Sequence, residues 1–259
     1  MSEFANTYGP WAVVTGAAQG VGLAFAEELI TRGVGVVLVD ISPSVTQVAE
    51  SLPGEAKPLI VDLTDPEWTA ALDDVCSGLD VGLGVANAGV SYVGWFRDMS
   101  AAQRRVAIDV NCGATAELAS WVLPGLVERG RGGFVATSSG SALAGTAGVA
   151  LYSATKAFAV NLVEAIGWEH RNDDVDTLAV IAPSMDTPAF RDNAADPERM
   201  LSPAVDPRVV VAGALDALGD GGRWLADEGL EFAATVERRE RVDMLGAATT
   251  AMYPRIFEA

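Results

Sequence analysis

The chain has 259 residues, half of them apolar, and 35 acidic side chains against 17 basic ones give a net charge of −18. That surplus of carboxylates argues against a nucleic-acid partner, because phosphate binding depends on Lys and Arg. No apolar run reaches the roughly 18–20 residues of a membrane span, no basic stretch precedes an apolar one at Met1-Ser2-Glu3-Phe4-Ala5, and only Cys76 and Cys112 are present, so a cytoplasmic protein without a membrane partner or disulfide framework is expected.

In chain order, residues 11–14 read as a strand and 20–32 as a helix stopped by Gly33. Strands follow at 36–39, 58–61, 83–86, 133–136 and 177–181, with helices at about 44–52, 65–77, 101–129 and 151–171. The strands are continuous apolar runs, which implies burial on both faces and therefore a parallel sheet. Strand–helix repetition predicts an α/β fold, a doubly wound sheet with right-handed crossovers. Residues 222–227 predict a short last strand, and a helical C-terminal tail is expected over about 228–259. No linker, repeat or low-complexity tract divides the chain, so 1–259 reads as a single domain.

In such sheets a ligand lies beyond the carboxyl ends of the strands. Gly16, Asp40, Asp62, Asn87, Ser139 and Pro183 each fall within a few residues of a predicted strand end. After the first strand, Thr15-Gly16-Ala17-Ala18-Gln19-Gly20-Val21-Gly22 opens a helix. Glycines let the backbone turn tightly and approach a pyrophosphate, whose charge meets the helix amides. The spacing is not the common G-x-G-x-x-G, and elsewhere such a stretch would be an ordinary turn. Asp40 ends the second strand, where a carboxylate accepts hydrogen bonds from both ribose hydroxyls of NAD and repels a 2′-phosphate. Ile41 follows instead of a cation and Gln19 is uncharged, so NAD(H) is expected over NADP(H). The competing reading of Asp40 is a helix cap before Ser42-Pro43.

Tyr152 and Lys156 stand one helical turn apart, on one face. A free phenol ionises near pH ~10, and a nearby ammonium is expected to pull that value down into the working range. Lys156 is one of two lysines in the chain, with Lys57. Tyr-x-x-x-Lys also occurs on any solvated helix face, so the weight rests on the surrounding pattern.

That pattern, from about residue 11 to 190, resembles the short-chain dehydrogenase/reductase family. The glycine turn is similar to its Thr-Gly-x-x-x-Gly-x-Gly, and Asp62-Leu63-Thr64 to its adenine-contacting segment. Asn87-Ala88-Gly89 resembles the stretch bordering the nicotinamide ribose, and Pro183, Met185 and Thr187 the segment at the nicotinamide. Ser139 precedes Tyr152 by 13 residues, the family's usual gap, whereas Ser138 and Ser141 do not. The resemblance implies a Rossmann fold and a catalytic tetrad of Asn111, Ser139, Tyr152 and Lys156. Its implied cofactor contacts are Gly16, Gln19, Gly20, Val21, Gly22, Asp40, Ile41, Asp62, Leu63, Asn87, Ala88, Gly89, Tyr152, Lys156, Pro183, Met185 and Thr187. It further implies that Tyr152 is the general acid/base, that Ser139 holds the substrate oxygen, that Lys156 binds the ribose, and that Asn111 holds a water. No metal is implied.

Ser184 departs from the family's usual glycine, and the late Thr-Gly…Asp-Gly-Gly segment of many tetramers is missing. A homo-oligomer, dimer or tetramer, is expected; the missing segment leaves the catalytic core untouched, and the effect of the atypical tail is open. His170 reads as a surface or helix-end residue. Substrate contacts are expected from 90–97, 141–149 and 185–200, with about 188–203 as a lid and Trp95, Phe96, Leu143, Met185 and Phe190 as an apolar pocket. Together these predict interconversion of a hydrophobic secondary alcohol and a ketone. The competing functions are a catalytically silent dinucleotide-binding regulator and an epimerase or dehydratase that uses NAD transiently.

Overall fold

The computed structural model describes residues 2–193, 196–200 and 203–257. Seven parallel strands form one sheet in the order β3-β2-β1-β4-β5-β6-β7: β1 Trp11–Thr15, β2 Gly35–Asp40, β3 Ala56–Ile60, β4 Val81–Ala86, β5 Gly132–Ser139, β6 Val175–Ala182 and β7 Arg223–Leu225. The order reverses between β1 and β4, which opens a crevice at their carboxyl ends. Alternate residues of the strands feed two cores. Ala12, Val14, Val36 and Leu38 join the core that holds Phe25, Leu29 and Val211, while Val13, Val37 and Val39 join the one built around Trp68, Leu118 and Val163.

The helices are α1 Glu3–Tyr8, α2 Gly20–Thr31, α3 Ser44–Ser51, α4 Trp68–Cys76, α5 Ala101–Ile108, α6 Ala114–Arg129, α7 Ala150–Glu169, α8 Pro188–Asp192, α9 Pro207–Asp216, α10 Glu228–Thr235, α11 Arg238–Met252 and α12 Pro254–Phe257. The predicted strands and helices between 11 and 182 are present, with four departures. Helix α1, capped by the Ser2 hydroxyl, lies ahead of the first predicted strand. The predicted 65–77 helix starts only at Trp68, because the Asp65 carboxylate accepts the Glu67 amide in a turn around Pro66. β3 is an edge strand carrying Pro58, and only half-buried, unlike the continuous burial of its neighbours.

The fourth departure is in the predicted 101–129 helix, which is interrupted by a wide π-turn at Asp109–Gly113 that separates α5 from α6. Such turns recur at functional sites, and this one carries Asn111. The tail is likewise broken, into α10, α11 and the short α12. Val236 is extended, and the Glu237 carboxylate restarts the helix by accepting the Arg239 and Glu240 amides. No helix of the described residues is long and apolar enough to cross a membrane.

Candidate active site

The crevice is built first from backbone. Gly16 has φ +67°, and a Cβ there would stand 2.8 Å from the Ala88 Cα. A Cβ on Gly22 would collide with the Gly16 carbonyl and the Asn87 amide. The turn from β1 into α2 therefore exists only because those side chains are missing, and it leaves the first amides of α2 open. Asn87 ties the two sides of the crevice: its Nδ2 donates to the carbonyls of Thr15 (3.0 Å) and Gly16 (3.3 Å), and its Oδ1 accepts from Thr137 Oγ1 at 3.3 Å. Thr15 Oγ1 accepts the backbone amides of Asn87 (3.0 Å) and Ala88 (3.1 Å).

Asp40, at the end of β2, accepts the Ala18 amide on Oδ2 and the Ser42 amide on Oδ1, both at 2.9 Å. Its carboxylate thus braces the glycine turn and the start of the next loop. An ionised carboxylate has about four acceptor positions, so two remain. Ile41 beside it is 64% exposed. Gln19 precedes α2 as its cap residue, without a side-chain cap bond, and Val21 lies in the first turn. Asp62, beyond β3, is exposed and turns back on Thr64, accepting from both its amide and its hydroxyl; Leu63 is a core residue. On the opposite wall, the Cβ and Cγ2 of Thr187 would lie 3.4 Å from a Cβ on Gly20, so the segment after β6 closes against the glycine turn. That segment is pinned rather than loose. Ser184 O accepts Val205 N, Met185 and Val205 form a bridge, and Thr187 Oγ1 caps α8. Of the expected lid over 188–203, residues 194, 195, 201 and 202 lie outside the described residues.

β5, α7 and the π-turn bring the tetrad together. Ser138 and Ser139 alternate in β5: Ser138 Oγ donates to the Lys156 carbonyl and is buried, whereas Ser139 stands beside the Tyr152 phenol. Lys156 is 6% exposed; its Nζ donates to Thr137 O at 2.7 Å and lies 5.6 Å from the centroid of the Tyr152 ring. Gly89 packs beside Lys156 Nζ and Asn111 Oδ1, where a Cβ would stand 3.3 and 3.4 Å away. Asn111 accepts the Val90 amide on Oδ1 (2.8 Å) and donates from Nδ2 to Val90 O (3.0 Å) and Thr155 Oγ1 (2.9 Å). Its side-chain amide clamps the loop after β4 to α7 with both Nδ2 hydrogens engaged and a second lone pair on Oδ1 in reserve.

The electrostatics differ from the expectation drawn from the sequence. Burial pushes the Tyr152 phenol up to about 12; the Ser139 side chain opposes the rise by hydrogen bonding, and a second phenol, Tyr253, adds to it. Burial draws the Lys156 ammonium down to about 8. Burial is the largest influence on both groups, and the ammonium, held by Thr137 O, lies over the Tyr152 ring. One further expectation changes. Leu143 is a core residue, not a pocket wall. The tail, whose effect the sequence left open, comes near the site: Tyr253 adds to the rise of the Tyr152 phenol, and Phe257 packs edge-on against Trp95 at 4.9 Å.

Phe96 is exposed, and Met185 packs on a core. His170 ends α7 and pairs with Asp173 at 2.8 Å. Thr15, Thr137, Thr155 and Tyr253 form the site's supports and roof without having been singled out. Thr15 opens the glycine motif itself, and Thr155 precedes Lys156. Nothing local marks Tyr253, 97 residues downstream of Lys156.

The chain's residues 10–198 match the family described as short chain dehydrogenase. It is 32% identical over 200 residues to inactive hydroxysteroid dehydrogenase-like protein 1 of Homo sapiens, across 73% of this chain and 61% of that protein, about three-fifths of its length. It is 27% identical over 231 residues to the 7beta-hydroxysteroid dehydrogenase of Clostridium sardiniense, across 87% of this chain and 88% of that one. A solved 7beta-hydroxysteroid dehydrogenase structure superposes with a TM-score of 0.84 at 23% identity, covering 95% of this chain and 99% of that chain. A further structure, a putative gluconate 5-dehydrogenase from Beutenbergia cavernae with bound NADP, superposes at 0.76 with 25% identity over 87% and 98% of the two chains. With its order of strands, glycine turn and Tyr152–Lys156 pair, the chain belongs to the short-chain dehydrogenase family.

Proposed function

We propose that this protein is an NAD(H)-dependent oxidoreductase that interconverts a hydrophobic secondary alcohol and a ketone. The observation that carries the reading is the convergence of Ser139, Tyr152 and Lys156 beside the β1–β4 crevice. The residues fit a dinucleotide. The glycine turn presents open amides, Asp40 retains acceptor capacity for ribose hydroxyls, and the shortened side chains at Gly16 and Gly22 leave the backbone within reach of a pyrophosphate. Gly16, Gly20, Gly22, Asp40, Asn87, Thr187 and Lys156 would hold it. Bound NAD(H) supplies or accepts the hydride.

Ser139 donates a hydrogen bond to the substrate oxygen and stabilises the charge that develops there. Tyr152, its phenol neutral at pH 7, gives that oxygen its proton in the direction of reduction. Lys156 sits behind the phenol as a cation held by Thr137, and Asn111 keeps the loop at 90 against α7. The exposed ring of Trp95 and the half-buried Phe190 offer apolar surface to the substrate.

The test is a spectrophotometric screen of ketones and secondary alcohols with NADH and NAD, repeated with Tyr152→Phe. A fall in turnover of roughly 10²–10⁴ is expected, with NADH affinity retained. Turnover within threefold of the parent would remove Tyr152 as proton donor. A second reading, a dinucleotide-binding regulator without chemistry, is favoured by one relative being named inactive. It predicts NADH binding with no oxidation across the whole screen.

A further inference from the structure

Two hydroxyls must reach one substrate oxygen, and they stand on different elements. Ser139 closes β5, Tyr152 lies in the first turn of α7, and the segment 140–151 that joins them contains Gly140, Gly145 and Gly148. Chain stiffness therefore does not fix their separation. Nor is α7 fixed at its start by a side-chain cap, since Val149 supplies none. Two buried hydroxyls hold the segment instead.

Thr146 and Ser153 are each 3% exposed. Thr146 Oγ1 donates to the carbonyls of Ser141 (3.3 Å) and Ala144 (3.1 Å), and the Thr146 amide donates to Ser153 Oγ at 3.3 Å. Ser153 Oγ in turn donates to Ala150 O at 3.0 Å, in the first turn of α7. Ser141 is thus held by its carbonyl, and its amide donates to Ser139 Oγ at 3.3 Å. That bond fills one lone pair of the Ser139 oxygen and leaves its hydrogen to be given away. The path from α7 to Ser139 runs without a gap through Ser153, Thr146 and Ser141.

We propose that Thr146 and Ser153 are positioning residues of the reaction: they lock the turn after β5 to the first turn of α7, and so hold the Ser139 hydroxyl where it and Tyr152 reach one substrate oxygen. This deepens the oxidoreductase reading above and rests on it. Both residues act through Ser139, whose side chain hydrogen-bonds the Tyr152 phenol. A misplacement of about 1 Å in such a pair costs on the order of 10²-fold in rate.

The experiment is a double-mutant cycle on the full-length protein, with Thr146→Val and Ser139→Ala alone and together, read in two ways. The first is turnover with NADH and the most active ketone of the screen. Thr146→Val should lower kcat roughly 10–100-fold, with KM and NADH affinity within about threefold of the parent. Added to Ser139→Ala it should cost less than about threefold more, because the hydroxyl it positions is gone. Thr146→Ser, which restores the donor, should return kcat to within about threefold of the parent. The second readout needs no turnover. With ¹³C at Cζ of the four tyrosines, the Tyr152 signal (assigned with Tyr152→Phe) should move in Ser139→Ala and in Thr146→Val, and move no further in the double variant. Ser153→Ala should reproduce both effects and takes the place of Thr146→Val if that variant fails to fold. Full additivity of the two substitutions, or a Tyr152 signal that Thr146→Val leaves unmoved, would overturn the proposal. A parent that never oxidises NADH, yet whose Tyr152 signal follows the cycle, supports the clasp and refutes only the chemistry. Normal turnover with an additive cycle refutes only the clasp.

Discussion

Lys156 is a buried ammonium with a single carbonyl partner, and that combination makes a functional group that is costly to fold. Its folded value, about 8, lies below the ordinary 10.5 of a lysine, so between those two limits the unfolded chain binds more protons than the folded one. Stability consequently rises with pH across that window, and below it the charge costs the folded state roughly 3 kcal/mol. Lys156→Met should therefore be more stable than the parent at pH 7, by about 1–3 kcal/mol in urea unfolding, with the gain gone near pH 10.5. The same variant should lose turnover. Tyr152 works in the opposite sense: its folded value of about 12 exceeds the ordinary 10, so its contribution is lost as pH climbs through that upper range. Asp40 gives a second test at this scale. Asp40→Ala with Ile41→Arg removes the charge that would repel a 2′-phosphate and adds a cation at an exposed position. A shift in kcat/KM towards NADPH of at least tenfold is expected, and unchanged cofactor preference would return Asp40 to its bracing role alone.

Among the elements, the turn from β1 to α2 and the π-turn between α5 and α6 show how the chain builds a site from backbone. A methyl group on Gly22 has nowhere to go but into the Gly16 carbonyl and the Asn87 amide. Gly22→Ala should cost about 1–3 kcal/mol by overpacking, and it should weaken NADH binding measured by fluorescence titration, since the amides that face the crevice move with the turn. A variant that bound NADH as the parent does would show that the close approach at Gly22 is irrelevant to the cofactor. This turn was legible in the sequence because glycines act locally, through φ and through the lack of Cβ. The π-turn was not. Its cause is Asn111 reaching 21 residues back to Val90 and forward to Thr155, a pair of contacts that no helical periodicity announces. The same holds for the break at Val236 and Glu237, where a polar side chain restarts a helix that the tail's composition runs straight through.

At the scale of the whole molecule, apolar side chains left exposed on α5, α6 and α7 (Ile108, Val127 and Phe158) bear on the expected assembly. Sedimentation velocity should show a dimer or tetramer, and Phe158→Asp should reduce its mass towards that of one chain while leaving the isolated fold intact. A monomeric parent would remove the homo-oligomer from the description. The sequence by itself determined the parallel α/β sheet, the glycine turn, and the grouping of Ser139, Tyr152 and Lys156. The sheet, the turn and the Tyr152–Lys156 pair follow from short-range rules, namely burial on both strand faces, backbone freedom at glycine and helical spacing, while Ser139 joins them through the resemblance to the family. Only the tertiary structure decided the state of those groups. Burial moves the phenol up and the ammonium down, and burial is set by the packing of distant segments. The tertiary structure also decided that the tail comes near the site. Tyr253 and Phe257 are separated from Tyr152 by some hundred residues and meet the crevice only after α10 and α11 have folded back over the sheet's edge, a placement that depends on packing between distant segments and leaves no trace in local pattern.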